Sequence, residues 1–369
     1  MRKVFSRHWP FLPTGIALAA LLIAFWFFNQ SYLAPAKSTV ASVLENPLPT
    51  FLLILLGAYV AARVSGEFSL KAPMSFEPLV LALAGGFIAG AGAVIAEMSI
   101  HSVVLFNLAG VFTLPAFLIV KGWVYIAVMV LGGLVASRLL VLVIVRTARQ
   151  RRELKVPAVW RVRAESRTGL YVAGGLFAVG VVVVWLVSLA LTEKLGLLLA
   201  MVLLALFGFV AERGTVCLSS MLKEWFISHS AYVWRSVLFT IMCLALVYQV
   251  GLSLNLYEPI ALESTISNPA LLVAGSFLMG FGFVFADGCF IGSLWKAAQG
   301  NLINVVGIVG LLMGMGVFQV AKKLFSLATV TTDVPNHLAT IASPWLWLAV
   351  LWVVGLVVLI VFRPRRYGY

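Results

Sequence analysis

Apolar residues along this chain fall into long blocks, not into the alternation of a half-buried strand or the spaced stripe of a surface helix. The blocks cover 11–28, 50–66, 78–96, 122–146, 169–191, 195–212, 233–254, 268–287, 303–320 and 343–362. A hydrocarbon layer about 30 Å thick takes about 20 residues of helix. Each block therefore predicts a spanning helix, about ten in all. Between them lie 97–120, 213–230 and 288–302, apolar but interrupted by Gly, Ser, Pro or a charge. Irregular backbone at membrane depth persists only where protein buries it or where it lines a cavity. These three stretches are expected to be re-entrant loops or half-helices.

Composition agrees with that pattern. The chain is 62% hydrophobic and 11% charged, with a mean hydropathy of +1.07. A soluble domain carries about 25% charged residues. The expected fold is an all-α membrane protein of about ten transmembrane helices plus re-entrant half-helices, in two structurally repeated halves. The block Phe11–Phe28 follows Arg2, Lys3 and Arg7 and ends in Trp26, Phe27 and Phe28. No small-x-small cleavage pattern stands there, so it reads as a retained anchor.

The net charge of +13 sits mostly at chain ends and between apolar blocks. That placement implies orientation in a lipid bilayer with anionic headgroups, and excludes nucleic acid as the partner. Residues 146–168 hold Arg146, Arg149, Arg151, Arg152, Lys155, Arg161, Arg163 and Arg167 against Glu153 and Glu165. This loop is expected on the cytoplasmic side of the inner membrane. The N-terminus and the tail carrying Arg363, Arg365 and Arg366 are expected there too. Four crossings before the loop and six after it satisfy all three placements. The chain is then one membrane domain over 1–369, with a first half 1–146, a basic cytoplasmic loop 147–168 and a second half 169–369.

The halves repeat. Residues 84–92, from Ala84 to Gly92, match 274–282, pairing Gly85 with Gly275 and Gly92 with Gly282. The register continues through Glu97 with Asp287, Ser99 with Cys289 and Gly110 with Gly300. Upstream, Ala61–Glu67 aligns with Ala211–Cys217. Such repeats typify secondary transporters, which bind substrate where broken helices meet. The extra helix 233–254 alters the parity, and the sequence leaves open whether the repeats are inverted.

Two segments carry the chemistry. In the first, Asp287, Gly288, Cys289 and Gly292 follow a Gly-rich helix and precede Lys296. A half-helix beginning near Cys289 would aim free N–H groups and its positive end at a small anion, with the thiol as a polarisable donor. In the second, Glu212 and Arg213 adjoin at a helix end, followed by Gly214 and Cys217. Intramembrane charges tend to mark pathways. The plainer alternatives are inert buried thiols, headgroup-level placement of Glu212 and Arg213, and a Lys296 that snorkels. Cys243 lies in a continuous apolar helix and reads as core. The three cysteines form no CxxC pair, and no Walker A, nucleophile elbow, HExxH or dinucleotide fingerprint occurs. No metal site and no cofactor are expected.

At these segments the chain resembles the YeeE/YedE family of membrane transporters for sulfur-containing ions. The resemblance rests on Gly288-Cys289-Phe290-Ile291-Gly292, on Arg213 followed by Cys217, and on the two-half organisation. It implies uptake of a thiosulfate-like or selenium-containing anion, without catalysis, with thiols passing the ion by S–H hydrogen bonds. It also implies a small cytoplasmic sulfur-carrier protein as partner. On this reading the pathway residues are Cys289, Cys217, Gly288, Gly292, Arg213, Asp287, Lys296 and Glu212. Two rivals remain: a membrane-embedded thiol enzyme transferring sulfur covalently, and a structural subunit of a membrane complex.

Overall fold

The computed structural model describes residues 10–28, 47–73, 76–96, 115–150, 159–162, 194–221, 232–255, 265–266, 268–324, 334–335, 337–338 and 342–361. Nine of the expected helices are seen. They are α1 Phe11–Phe28, α2 Pro47–Ser65, α3 Glu77–Ile95, α4 Val120–Gln150, α5 Lys194–Arg213, α6 Tyr232–Ser253, α7 Pro269–Phe285, α9 Leu302–Leu324 and α10 Pro344–Val361. The short α8, Phe290–Ala298, fills the broken stretch expected after residue 288. The helix expected at 169–191 lies outside the described residues, as do most of 97–120 and 222–230. Of the basic loop, only 147–150, within α4, and β2, Val159–Val162, are described.

The chain is a multi-pass membrane protein. Among the described residues seven stretches are long and apolar enough to cross a membrane, α7 and α8 together forming one of them. Helix α10 shows the logic on a single element. Leu348, Leu351, Gly355 and Leu359 face the protein, while Val353, Val357, Ile360 and Val361 are more than half exposed. A helix apolar all round with one buried stripe is a helix facing lipid.

Helices in lipid associate through close packing of small residues, because lipid tails are as apolar as leucine. Here glycine marks nearly every crossing. A Cβ on Gly57 would strike the backbone of Ala205 in α5, and one on Gly208 would strike Ile54 in α2. Gly86 and Gly90 of α3 meet α9 at Gly307 and Leu311. Gly132 of α4 meets Phe277 of α7, and Gly280 of α7 meets Met129.

The repeat is inverted at its centre. Gly85 packs on Ala286, and its counterpart Gly275 packs on Ala96. Gly92 likewise packs on Met279, and its counterpart Gly282 on Ala89. The end of one helix thus meets the start of the other, so α3 and α7 run antiparallel about a local two-fold. Flanking helices obey the same relation. Gly314 of α9 meets Phe87 as Gly132 of α4 meets Phe277. By contrast α2 and α5 run parallel, because Ser65 and Arg213, near their last turns, are hydrogen-bonded at 2.8 Å. The added helix α6 between α5 and α7 accounts for the change of direction.

Connections gather at two ends. At one, β1, Leu70–Pro73, pairs antiparallel with β2, and Asn301 bridges to Lys71. At the other, β3, Thr265–Ile266, pairs with β4, Val334–Pro335, and His337 bridges to Ile119. The connections α2–α3 and α8–α9 and the segment β2 thus share one end. The start of α4 and the connections α6–α7 and α9–α10 share the opposite one.

Candidate functional site

Two helix breaks meet, and both are built the same way. Helix α5 ends where Thr215 takes φ 49, and α7 ends where Asp287 takes φ 59. Non-glycine residues with such positive φ are uncommon and mark a stop. In each case one residue follows and then a cysteine. Cys289 is the N-cap of α8, its Sγ accepting from Gly292 N at 3.3 Å. Cys217 starts the helical turn at 218–221, its Sγ accepting from Ser220 N at 3.4 Å. Cysteine is an unusual cap, and the polarisable sulfur takes the oxygen's place there.

The breaks are tied to each other. Cys289 Sγ lies 3.8 Å from Cys217 Sγ and also accepts from Leu218 N at 3.2 Å. Trp295 of α8 donates its indole N–H to Val216 O at 2.9 Å. Ser219 Oγ donates to Phe283 O at 2.8 Å. Both cysteines are buried. Gly292 sits against the pair. A Cβ there would lie 2.8 Å from Cys217 Cβ and 3.3 Å from Cys289 Sγ, with Cys217 Sγ nearer than either. A side chain at 292 would therefore part the sulfurs. The nine residues of α8 span about 13 Å between Cys289 and the β1–β2 end, so the pair lies inside the membrane layer. A cavity of about 30 Å³ touches Cys289 and is otherwise lined by apolar residues of α3, α7, α9 and the two breaks.

Charged residues form a separate cluster near the β1–β2 end. Arg213 Nε lies 2.6 Å from Glu212 Oε2, and an Nη lies 3.1 Å from Glu67 Oε2. Gln299 Nε2 reaches Glu212 Oε1 at 3.0 Å. Glu212 and Arg213 are enclosed by protein, at 0% and 1% exposure, not held at headgroup level. Lys296 does not snorkel. Its Nζ folds back to Asp287 O at 2.6 Å, with Asp287 Oδ2 at 3.7 Å. Cys243 stands apart, half-buried in α6.

The turn geometry shifts the upstream alignment by a residue. Gly66, with φ 74, ends α2 as Thr215 ends α5, and Glu67 N bonds Ala62 O as Val216 N bonds Ala211 O. Phe68, not Glu67, then stands opposite Cys217. Glu97 and Ser99 of the first half lie outside the described residues. Sequence reasoning passed over Gln299, Trp295, Ser293 and Asn304, whose roles appear only when α8 is folded against α5, α7 and α9.

Residues 213–368 match the family model described as sulphur transport. The match opens at Arg213 and includes both capping cysteines, which bears out the YeeE/YedE resemblance. The probable transporter YedE of Salmonella typhimurium is 27% identical over 259 residues, 68% of this chain and 61% of that protein. YedE of Escherichia coli is 26% identical over 267 residues with the same coverage. The chain thus spans about three fifths of the length of these curated relatives. The thiosulfate transporter TsuA of Spirochaeta thermophila is 27% identical over 125 residues, 33% of this chain and 35% of that protein. No solved structure matches.

Proposed function

We propose that the protein carries a thiosulfate-like anion across the inner membrane into the cytoplasm, through contact with Cys217 and Cys289. The observation that supports this most is the meeting of two helix starts, each capped by a thiol, with sulfurs 3.8 Å apart inside the membrane layer. TsuA, named a thiosulfate transporter, supports the choice of ion.

At this separation the sulfurs act as one station and not as successive stops. One S–H bridges the two sulfurs, and the second remains to donate to an ion. Soft, weak donors suit an anion that must enter and leave. The positive end of α8 adds attraction without a full charge. Arg213 already faces two carboxylates, so its part is to hold the breaks in place. A cavity of about 30 Å³ has room for about two or three waters. Passage of an ion therefore requires the contact among α3, α7 and α9 to open.

Four crossings before the basic loop and six after it, the count read from the sequence, agree with the directions of the described helices. On that count the end holding β1 and β2 is cytoplasmic, and so are both termini. A sulfur-carrier protein would receive the ion or its sulfur there. Nothing in the pair requires covalent transfer, and the protein is read as a carrier without catalysis. The test is uptake of radiolabelled thiosulfate into proteoliposomes by wild type, Cys217→Ala and Cys289→Ala. Loss in both variants is expected. Equal uptake by all three removes the thiol pathway, and a persulfide on Cys289 during turnover replaces it with sulfur transfer.

A further inference from the structure

Resting on that reading, we propose that Asn304, Ser293 and the opening amides of α8 form an oxygen-binding station beside the thiols. The ligand class it names is a small anion with a terminal sulfur at one end and an oxyanion at the other. The thiols take the sulfur and this station takes the oxygens.

Asn304 stands in the first turn of α9 and is fully buried, at 0% exposure. Its Nδ2 and its Oδ1 both lack a hydrogen-bond partner among the described residues. Buried carboxamides are almost always hydrogen-bonded, because an unpaired one is costly in apolar surroundings. A side chain that holds nothing in the fold, yet is kept polar at membrane depth, fits a group whose partner arrives with the ligand.

Its position is specific. A Cβ on Gly288 would lie 2.8 Å from Asn304 Oδ1 and 2.9 Å from Ser293 N, with Ser293 Oγ closer still. Carboxamide, hydroxyl and helix start therefore pack together on the bare face of Gly288, next to Cys289, and an oxyanion reaches them when that contact opens. Along α8, Gly292 N is taken by Cys289 Sγ and Ser293 N by Cys289 O. The amides of Phe290 and Ile291, first in the helix, meet no acceptor among the described residues. Ser293 lies one turn from Cys289 on the same helix face. The amide and hydroxyl donors of α8 thus adjoin the soft S–H donor, and the Asn304 carboxamide, whose Oδ1 faces Gly288 here, donates to an oxyanion from its Nδ2 once the amide is turned over.

The station also belongs to one half. The two-fold that pairs Gly314 with Gly132 sets Asn304 opposite Gly122, which has no side chain. The thiols are likewise confined to the second half.

The test uses the purified full chain in detergent, titrated with thiosulfate by thermal shift, and the same protein in proteoliposomes. Asn304→Leu removes no hydrogen bond of the fold, so its unliganded Tm is expected to equal or exceed that of wild type. Its half-saturating thiosulfate concentration is expected to rise about tenfold, the loss of one hydrogen bond to a charged ligand. Unchanged half-saturation overturns the station. If Asn304→Leu fails to fold, Ser293→Ala decides by the same measurement, since it deletes only a hydroxyl. Cys289→Ala separates the two readings. Uptake kept in Cys289→Ala but lost in Asn304→Leu ends the thiol pathway and keeps the station. The reverse pattern ends the station and keeps the thiols. Absence of any thiosulfate effect on wild type ends both.

Discussion

Gly292→Ala adds one methyl group at the point where the sulfurs meet. That carbon would lie 2.8 Å from Cys217 Cβ and 3.3 Å from Cys289 Sγ, whereas non-bonded carbons settle at about 3.5–4.0 Å. Cys217 must therefore withdraw by at least roughly 1 Å at its Cβ and by more at its Sγ, which lies nearer still, and this lengthens the 3.8 Å sulfur contact. Overpacking of this kind costs about 1–3 kcal/mol. Alanine in a helix returns up to about 1 kcal/mol relative to glycine. The net loss of stability is then small, about 0–2 kcal/mol, and the variant folds. Its uptake suffers far more, because displacing positioned groups by about 1 Å costs around a hundredfold where geometry matters. Thermal unfolding in detergent and thiosulfate uptake in proteoliposomes read the two effects separately. Gly316→Ala is the control, since its Cβ would meet nothing within 4 Å, and it should leave uptake unchanged. A folded Gly292→Ala protein with wild-type uptake would refute the claim that the sulfurs must touch.

Arg213→Ala strands two carboxylates, one of them fully buried at Glu212. Breaking a buried pair in this way costs about 3–5 kcal/mol, visible as a lowered Tm and poor yield. Arg213→Met combined with Glu212→Gln, which removes both buried charges, should recover much of that loss; no recovery would show that the charge itself is needed. Cys243→Ala removes a half-buried thiol away from the breaks. It should leave thiosulfate uptake at the wild-type level in the same proteoliposome assay, and a lost uptake would place α6 on the pathway.

The helices were legible because membrane spans are written as unbroken apolar length, which needs no partner to be recognised. Helix α8 was legible for the opposite reason: Gly288, Cys289 and Gly292 interrupt that length. What could not be read was which break faces which. The sequence aligned Cys217 with Glu67, and Cys289 with Ser99, as members of different repeats. Folding sets the two cysteines against each other through Trp295, Ser219 and Gly292, contacts between residues more than sixty positions apart. Asn304 escaped notice because one asparagine in an apolar helix has no spacing signal. Its meaning comes from the bare face of Gly288 across from it.

The inversion follows from parity. Helix α6 is one extra crossing, and it turns a second copy of the same Gly-rich hairpin end over end. The two copies then meet through Gly85 on Ala286 and Gly275 on Ala96, contacts made of backbone and single methyl groups. Such surfaces hold by close approach without interlocking side chains, so sliding between them breaks few specific contacts. A two-fold contact also presents the same surface when tipped either way, which is what rocking of inverted repeats about a central site requires. The small cavity at Cys289 is lined from both copies, by Ala89 and Ala93 of α3 and by Met279 and Phe283 of α7. Movement at the glycine contact is therefore movement of the cavity wall beside Cys289, and in this symmetric scaffold thiols stand only in the second half.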